Sequence, residues 1–143
     1  MNVPLLQVEN VSITFGGLKA LQNVSISVES GTVAGVLGPN GAGKTTLFNA
    51  ISGFYRPSTG SVRLDGREVV GMRPSRICKL GLARTFQITR PFADLSVLDT
   101  VRIGAFNRTN NLGEATRIAE RTLERVGLSD KRNELGKRLT VIE

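Results

Sequence analysis

The stretch Gly38-Pro39-Asn40-Gly41-Ala42-Gly43-Lys44-Thr45-Thr46 constrains this chain more than any other. It fits the pattern G-x-x-x-x-G-K-[ST], with the obligatory glycines at 38 and 43, the lysine at 44 and the threonine at 45. Glycines let successive backbone N–H groups turn inward as a concave anion nest that a Cβ would obstruct. Lys44 can place a point charge on the β- and γ-phosphates of a nucleotide, and Thr45 can offer a hydroxyl to Mg²⁺. A helix starting here points its positive dipole end at the same phosphates.

The flanks supply the context that such a loop needs. Residues 33–37, VAGVL, form a short apolar run of the kind a buried parallel strand shows. Leu47, Phe48, Ala50 and Ile51 then fall at helical spacing, and Gly53 is placed to end the helix. Strand, glycine-rich loop and helix are therefore predicted in the required order. A glycine-rich turn with a chance Lys-Thr pair would not account for that order, so the residues imply nucleoside triphosphate binding.

With 143 residues the chain can bury a real core. No apolar run approaches the roughly 20 residues of a membrane span. Residues 1–9 lack the basic start and long apolar core of a signal peptide. The single cysteine, Cys78, excludes an internal disulfide framework, and cytosolic residence is the default expectation. Beside Ile77 and Leu80 it reads as a small buried hydrophobe.

The formal net charge is +7, and the excess is uneven. Residues 1–60 hold only Lys19, Lys44 and Arg56 as bases, against Glu9 and Glu29. Between 63 and 90 lie Arg63, Arg67, Arg73, Arg76, Lys79, Arg84 and Arg90, against Asp65 and Glu68. Such a cluster suits phosphates, an anionic membrane surface or an acidic partner. With aromatics at 5% and no nucleic-acid module, a solvated basic face near a membrane is the expectation.

Along the chain, residues 6–15 and 24–28 alternate apolar with polar, as half-buried strands do, around a Gly16-Gly17 turn. Phe15 closes the first of these strands, and periodicity alone favours packing it in the core. After a turn-rich 54–60, the runs 61–64 and 67–70 flank Asp65-Gly66, a strong hairpin signal. Pro74 can start a short helix through Ile77, Cys78 and Leu80 that Gly81 ends. Residues 82–86 read as a further strand, Gln87 follows, and 88–94 read as an ordered loop.

Ser96 and Asp99 resemble a capping box, opening a helix with Val97, Leu98, Val101 and Ala105 on its apolar face. Asn111 can cap the next, with Ala115, Ile118, Ala119, Thr122, Leu123 and Val126 on one stripe and Gly127 as stop. Residues 130–138 read as a solvated connector. An apolar run at a terminus usually continues as an element, so residues 139–143 suggest part of a longer chain. The organisation expected is a nucleotide-binding core over 1–94 and the beginning of a helical subdomain over 95–143.

Taken together, these residues resemble the ATP-binding subunits of ABC transporters. GPNGAGKTTL, residues 38–47, looks like their Walker A loop, and VENVSITFGGLKALQNVS, residues 8–25, like their first hairpin. RTFQ, residues 84–87, is similar to the start of their Q-loop, and DLSVLDTVRIGA, residues 94–105, to the first helix of their helical subdomain. The fold implied is α/β, a P-loop NTPase with an antiparallel β flap, parallel core strand or strands and an incomplete helical subdomain. ISGFYRPSTGSVRLDG, residues 51–66, and GLARTFQITRPFADLSVLDTV, residues 81–101, narrow the resemblance to the LivG-like subunits of branched-chain amino acid importers.

The resemblance implies roles residue by residue. Gly38, Pro39, Asn40, Gly41, Ala42, Gly43, Lys44, Thr45 and Thr46 would bind ATP. Thr45 and Gln87 would serve Mg²⁺, and Lys44 and Gln87 the reaction. Phe15 would stack on adenine, against the core packing that periodicity favours. The implied partners are transmembrane permease subunits and a second ATP-binding subunit, identical or related. The implied location is peripheral, on the cytoplasmic face of the membrane, with no nucleic acid. A soluble ABC ATPase acting on nucleic acid or ribosomes is the alternative, resting on the basic 63–90 segment. So is a truncated chain that binds nucleotide without catalysis.

The sequence departs from the family pattern at its end. Signature motif, Walker B acid pair, D-loop and switch histidine are all missing, and the chain has no histidine. RLTVIE, residues 138–143, could be taken for a Walker B strand. It follows the helical region directly, so it is read as the approach to the signature. The whole protein is therefore expected to be an ATPase, and these 143 residues to bind nucleotide without turning it over.

Overall fold

A computed structural model describes residues 3–86 and 92–139. The chain falls into two compact units, Met1–Arg84 and Thr85–Glu143.

The first unit is built on a four-stranded sheet in the order β2-β1-β3-β4. Its strands are β1 (Leu6–Phe15), β2 (Leu18–Val28), β3 (Thr59–Leu64) and β4 (Arg67–Glu68), and every pairing is antiparallel. Alternation puts Val8, Val11 and Ile13 inside, but Val8 and Val11 are three residues apart. A register shift between them absorbs the extra residue. Asn10 makes this possible by adopting φ 50°, with its amide donating to Ser25 Oγ at 2.9 Å. Gly60 lies directly beneath: a Cβ there would come within 2.5 Å of the Asn10 carbonyl oxygen.

Asp65 and Gly66, at φ 49° and 72°, make the two-residue turn that their sequence predicts, joining Leu64 to Arg67. Helices α1 (Lys44–Ile51) and α2 (Pro74–Lys79) complete this unit. Leu47, Ala50, Ile51 and Ile77 join Val8, Val11, Ile13, Leu21, Val62, Leu64 and Val69 in one core. Arg63 is held by Glu9 at 2.9 Å and Glu68 at 3.8 Å, whereas Arg67, Arg73, Arg76 and Lys79 are exposed. Cys78 is only half-buried, since the core position of its turn belongs to Ile77.

The mixed α/β layout and the antiparallel flap agree with the sequence reading, but two of its elements do not form. Residues 33–37, predicted to be a buried parallel strand, are irregular, with Val33 and Leu37 102% and 95% exposed. Hydrophobicity alone does not make a strand, because its backbone N–H and C=O groups need a neighbouring strand to pair with. Among the described residues no strand runs beside this one. Residues 82–86 likewise lack strand structure.

In the second unit, α3 (Val97–Ala105) and α4 (Leu112–Arg125) pack together through small and aliphatic residues. Val97, Ala105, Ala115, Ala119 and Leu123 are buried. Gly127 ends α4 at φ 73°, and the Leu128 amide closes back onto the Leu123 carbonyl at 2.9 Å. Residues 130–138 are not the solvated connector that their polarity predicts. The carbonyls of Glu134 and Arg132 accept from the amides of Val97 and Leu98, both at 2.9 Å, and Gly136 donates to the Leu95 carbonyl at 2.9 Å. A polar segment is ordered here because its backbone finishes the start of α3. Residues 140–143, most of RLTVIE, lie outside the described residues.

Candidate functional site

Helix α1 starts without a side-chain cap. Its N-cap is Gly43, left-handed at φ 85° and ψ 4°, and no acidic residue occupies the first turn. The amides of Gly43, Lys44, Thr45 and Thr46 have no acceptor among the described residues. Those of the first helical turn are orphan donors, carrying the positive end of the helix dipole. Gly41, at φ 84°, and a tight turn in which Ala42 donates to the Pro39 carbonyl at 3.2 Å curve the loop round that end. The result is a concave set of N–H groups, the geometry that binds an anion.

Lys44 supplies the mobile charge. Its Nζ donates to the carbonyls of Gly38 and Pro39, at 2.6 and 2.8 Å, so the ammonium sits on the rim of its own loop. Thr45 is exposed and its hydroxyl makes no hydrogen bond among the described residues. That fits a hard-cation ligand working with phosphate oxygens, as Mg²⁺ requires. The described residues contain no cluster of three or more acidic, cysteine or histidine side chains for a metal cage.

Gly43 also fastens the loop to the sheet. A Cβ there would lie 2.7 Å from the Ala20 carbonyl oxygen and 2.8 Å from Leu21 Cδ2. Ala20 belongs to the same hairpin end as Phe15, whose register partner is Leu18. The tip carrying Phe15 is thereby tied to the strand against which the loop packs. Phe15 itself is 45% exposed, contrary to the core packing that periodicity favours. Its ring meets that of Tyr55 edge to face, centroids 5.1 Å apart and planes at 71°.

The sequence gives Arg84 a place in a basic cluster, in the predicted strand 82–86 and at the start of RTFQ, but not the contacts it makes. Its Nη1 donates to Asn49 Oδ1 at 2.5 Å and Ser52 Oγ at 3.1 Å, and its guanidinium lies 5.7 Å from the centre of the Phe54 ring. It joins the segment after α2 to the end of α1, a long-range link that no local pattern announces. Residues 38–46 are thus one continuous loop leading into α1, and Gly43 packs beside the hairpin end that carries Phe15. Gln87 lies outside the described residues, and among those described no helix is long and apolar enough to cross a membrane.

The family model for the ABC transporter domain matches residues 21–141. Among curated proteins, the chain is 40% identical to the high-affinity branched-chain amino acid transport ATP-binding protein BraF of Pseudomonas aeruginosa, over 77% of this chain and 43% of that protein. It is 46% identical to the probable branched-chain amino acid transport ATP-binding protein LivG of Archaeoglobus fulgidus, over 69% of this chain and 38% of that one. With LivG of Salmonella typhimurium the figures are 35%, 93% and 58%. The chain therefore spans between 38% and 58% of the length of these relatives. Among solved structures, a nucleotide-free ATP-binding cassette from an ABC transporter superposes with a TM-score of 0.81 at 32% identity. That match covers 96% of this chain and 60% of the other. An ATP-binding cassette in its ADP conformation gives 0.83 at 31% identity, covering 98% and 60%.

Proposed function

The chain belongs to the ABC transporter family, and on that premise we propose that the whole protein is the ATP-hydrolysing motor subunit of an importer of branched-chain amino acids. The observation that carries the nucleotide reading is the start of α1, where amides and a threonine hydroxyl with no partner among the described residues converge with a lysine. The names of the BraF and LivG relatives support the choice of solute.

Phosphoryl transfer is mostly positioning plus electrostatic stabilisation. The amides of Gly41, Gly43, Lys44, Thr45 and Thr46 hold the β- and γ-phosphates, with Gly38, Pro39, Asn40 and Ala42 shaping the cradle. Lys44 exchanges its two loop carbonyls for phosphate oxygens and offsets the charge that develops there. Phe15 stacks on the base. Thr45 and Gln87 hold Mg²⁺, which when bound neutralises charge on the β- and γ-oxygens. Residues 95–143 open a helical subdomain. Residues 1–143 hold no identified carboxylate to polarise the attacking water, so alone they bind nucleotide without turning it over.

The protein works as one of two ATP-binding subunits beneath a transmembrane permease, on the cytoplasmic face of the membrane. Reconstitution of the full-length protein with its permease tests this. The reading requires ATP-dependent uptake of leucine, isoleucine or valine, abolished by Lys44→Ala. ATP-dependent uptake of a different solute would overturn the substrate, and the absence of a co-purifying permease would overturn the transport role. Mg²⁺-dependent turnover by residues 1–143 alone, lost in Lys44→Ala, would overturn the division of labour.

A further inference from the structure

The connection after α1 carries a second aromatic ring to the hairpin tip. Phe54 and Tyr55 both donate their amides to the Asn49 carbonyl, at 2.8 and 3.1 Å, so the chain turns sharply off the last turn of the helix. Three residues on, Ser58 donates to the Ser12 carbonyl at 2.8 Å, laying the same connection against β1. Held at both ends, it sets the Tyr55 ring 5.1 Å from that of Phe15 with 71° between the planes. Edge-to-face contact sets the positive edge of one ring against the negative face of the other, which fixes relative orientation as well as distance. Neither ring is covered: Phe15 is 45% and Tyr55 40% exposed. A pair serving only to fill the core would be buried, whereas this one is braced and still open to a ligand.

We propose that Tyr55 is a positioning residue for the nucleotide base, holding the Phe15 ring in the orientation on which a purine stacks. This rests on Phe15 as the base-stacking residue and extends that reading to the group that orients it. Phe15 stands beside a Gly16-Gly17 turn at φ 49° and 89°, so local backbone chemistry does little to fix its ring. Without the brace the ring samples several orientations, and only the aligned fraction binds a base at full strength. The brace acts on the base-dependent part of affinity. The phosphate-dependent part belongs to residues 38–46, at the opposite end of α1.

The test compares dissociation constants of the full-length protein for MgATP and for magnesium tripolyphosphate, which keeps the phosphates and lacks the base. Tyr55→Leu weakens MgATP roughly threefold to tenfold, the scale of one aromatic pair, and leaves tripolyphosphate within about twofold. Tyr55→Phe, which keeps the ring, restores ATP affinity. Phe15→Leu weakens ATP at least as much, and adding Tyr55→Leu to it brings no further loss, because the brace then has nothing to orient. Should Phe15→Leu leave the ratio of the two affinities unchanged, base stacking itself fails and the proposal with it. Should Phe15→Leu lower the ratio while Tyr55→Leu does not, stacking stands and the brace is wrong. Equal weakening of both ligands by Tyr55→Leu would reveal general loosening of the fold and also overturn the proposal.

Discussion

Helix α3 begins with Ser96, whose Oγ accepts from the Asp99 amide at 3.0 Å, while the carbonyls of Glu134 and Arg132 accept from Val97 and Leu98. Helix α4 begins with Asn111, whose Oδ1 accepts from the Glu114 amide at 2.9 Å. Helix α1 begins with Gly43, which has no side chain to accept anything. Every first-turn donor of α3 is thus satisfied within the protein, and the corresponding donors of α1 find no acceptor among the described residues. A serine or asparagine cap contributes roughly 1 kcal/mol, so a bare helix start forgoes stability. Open donors at the positive end of a dipole are what a triphosphate requires. One helix start is finished for stability and the other is left for a ligand.

That contrast can be broken at either end. The largest effect is expected from Lys44→Ala, which removes the charge above the bare donors. Affinity for MgATP should fall on the order of 100-fold in titration calorimetry, with little change in melting temperature. Gly43→Ala should damage both binding and folding. Its Cβ meets the Ala20 carbonyl at 2.7 Å in a left-handed conformation, a strain of roughly 1–3 kcal/mol visible in denaturant melts. Arg84→Leu should cost about 1–2 kcal/mol by leaving Asn49 and buried Ser52 without their shared donor, with a smaller effect on nucleotide. Ser96→Ala should cost about 1 kcal/mol of stability and leave nucleotide affinity unchanged. A nucleotide defect in Ser96→Ala, or a purely structural defect in Lys44→Ala, would erase the distinction between the two helix starts.

The features legible in the sequence are those whose cause is local. The phosphate loop is specified by nine consecutive residues, the 65–66 turn by two, and the caps of α3 and α4 by residues three apart. What escaped depends on distant partners. The bulge at Asn10 needs Gly60 beneath it, and the order of residues 130–138 comes from donors on α3. The link from Arg84 reaches back 35 residues to Asn49. Phe15 shows both sides: alternation places it correctly on a strand yet says nothing of the open end at which that strand stops. Residues 33–37 carry the hydrophobicity of a strand, but pairing is a property of neighbours.

The most direct measurement follows backbone amides by nuclear magnetic resonance while MgATP is added to the protein. The largest shifts are expected at Gly41, Ala42, Gly43, Lys44, Thr45 and Thr46, with Val97, Leu98 and Asp99 nearly unmoved. Saturating nucleotide that leaves the amides of residues 41–46 in place, or shifts those of α3 equally, would contradict this.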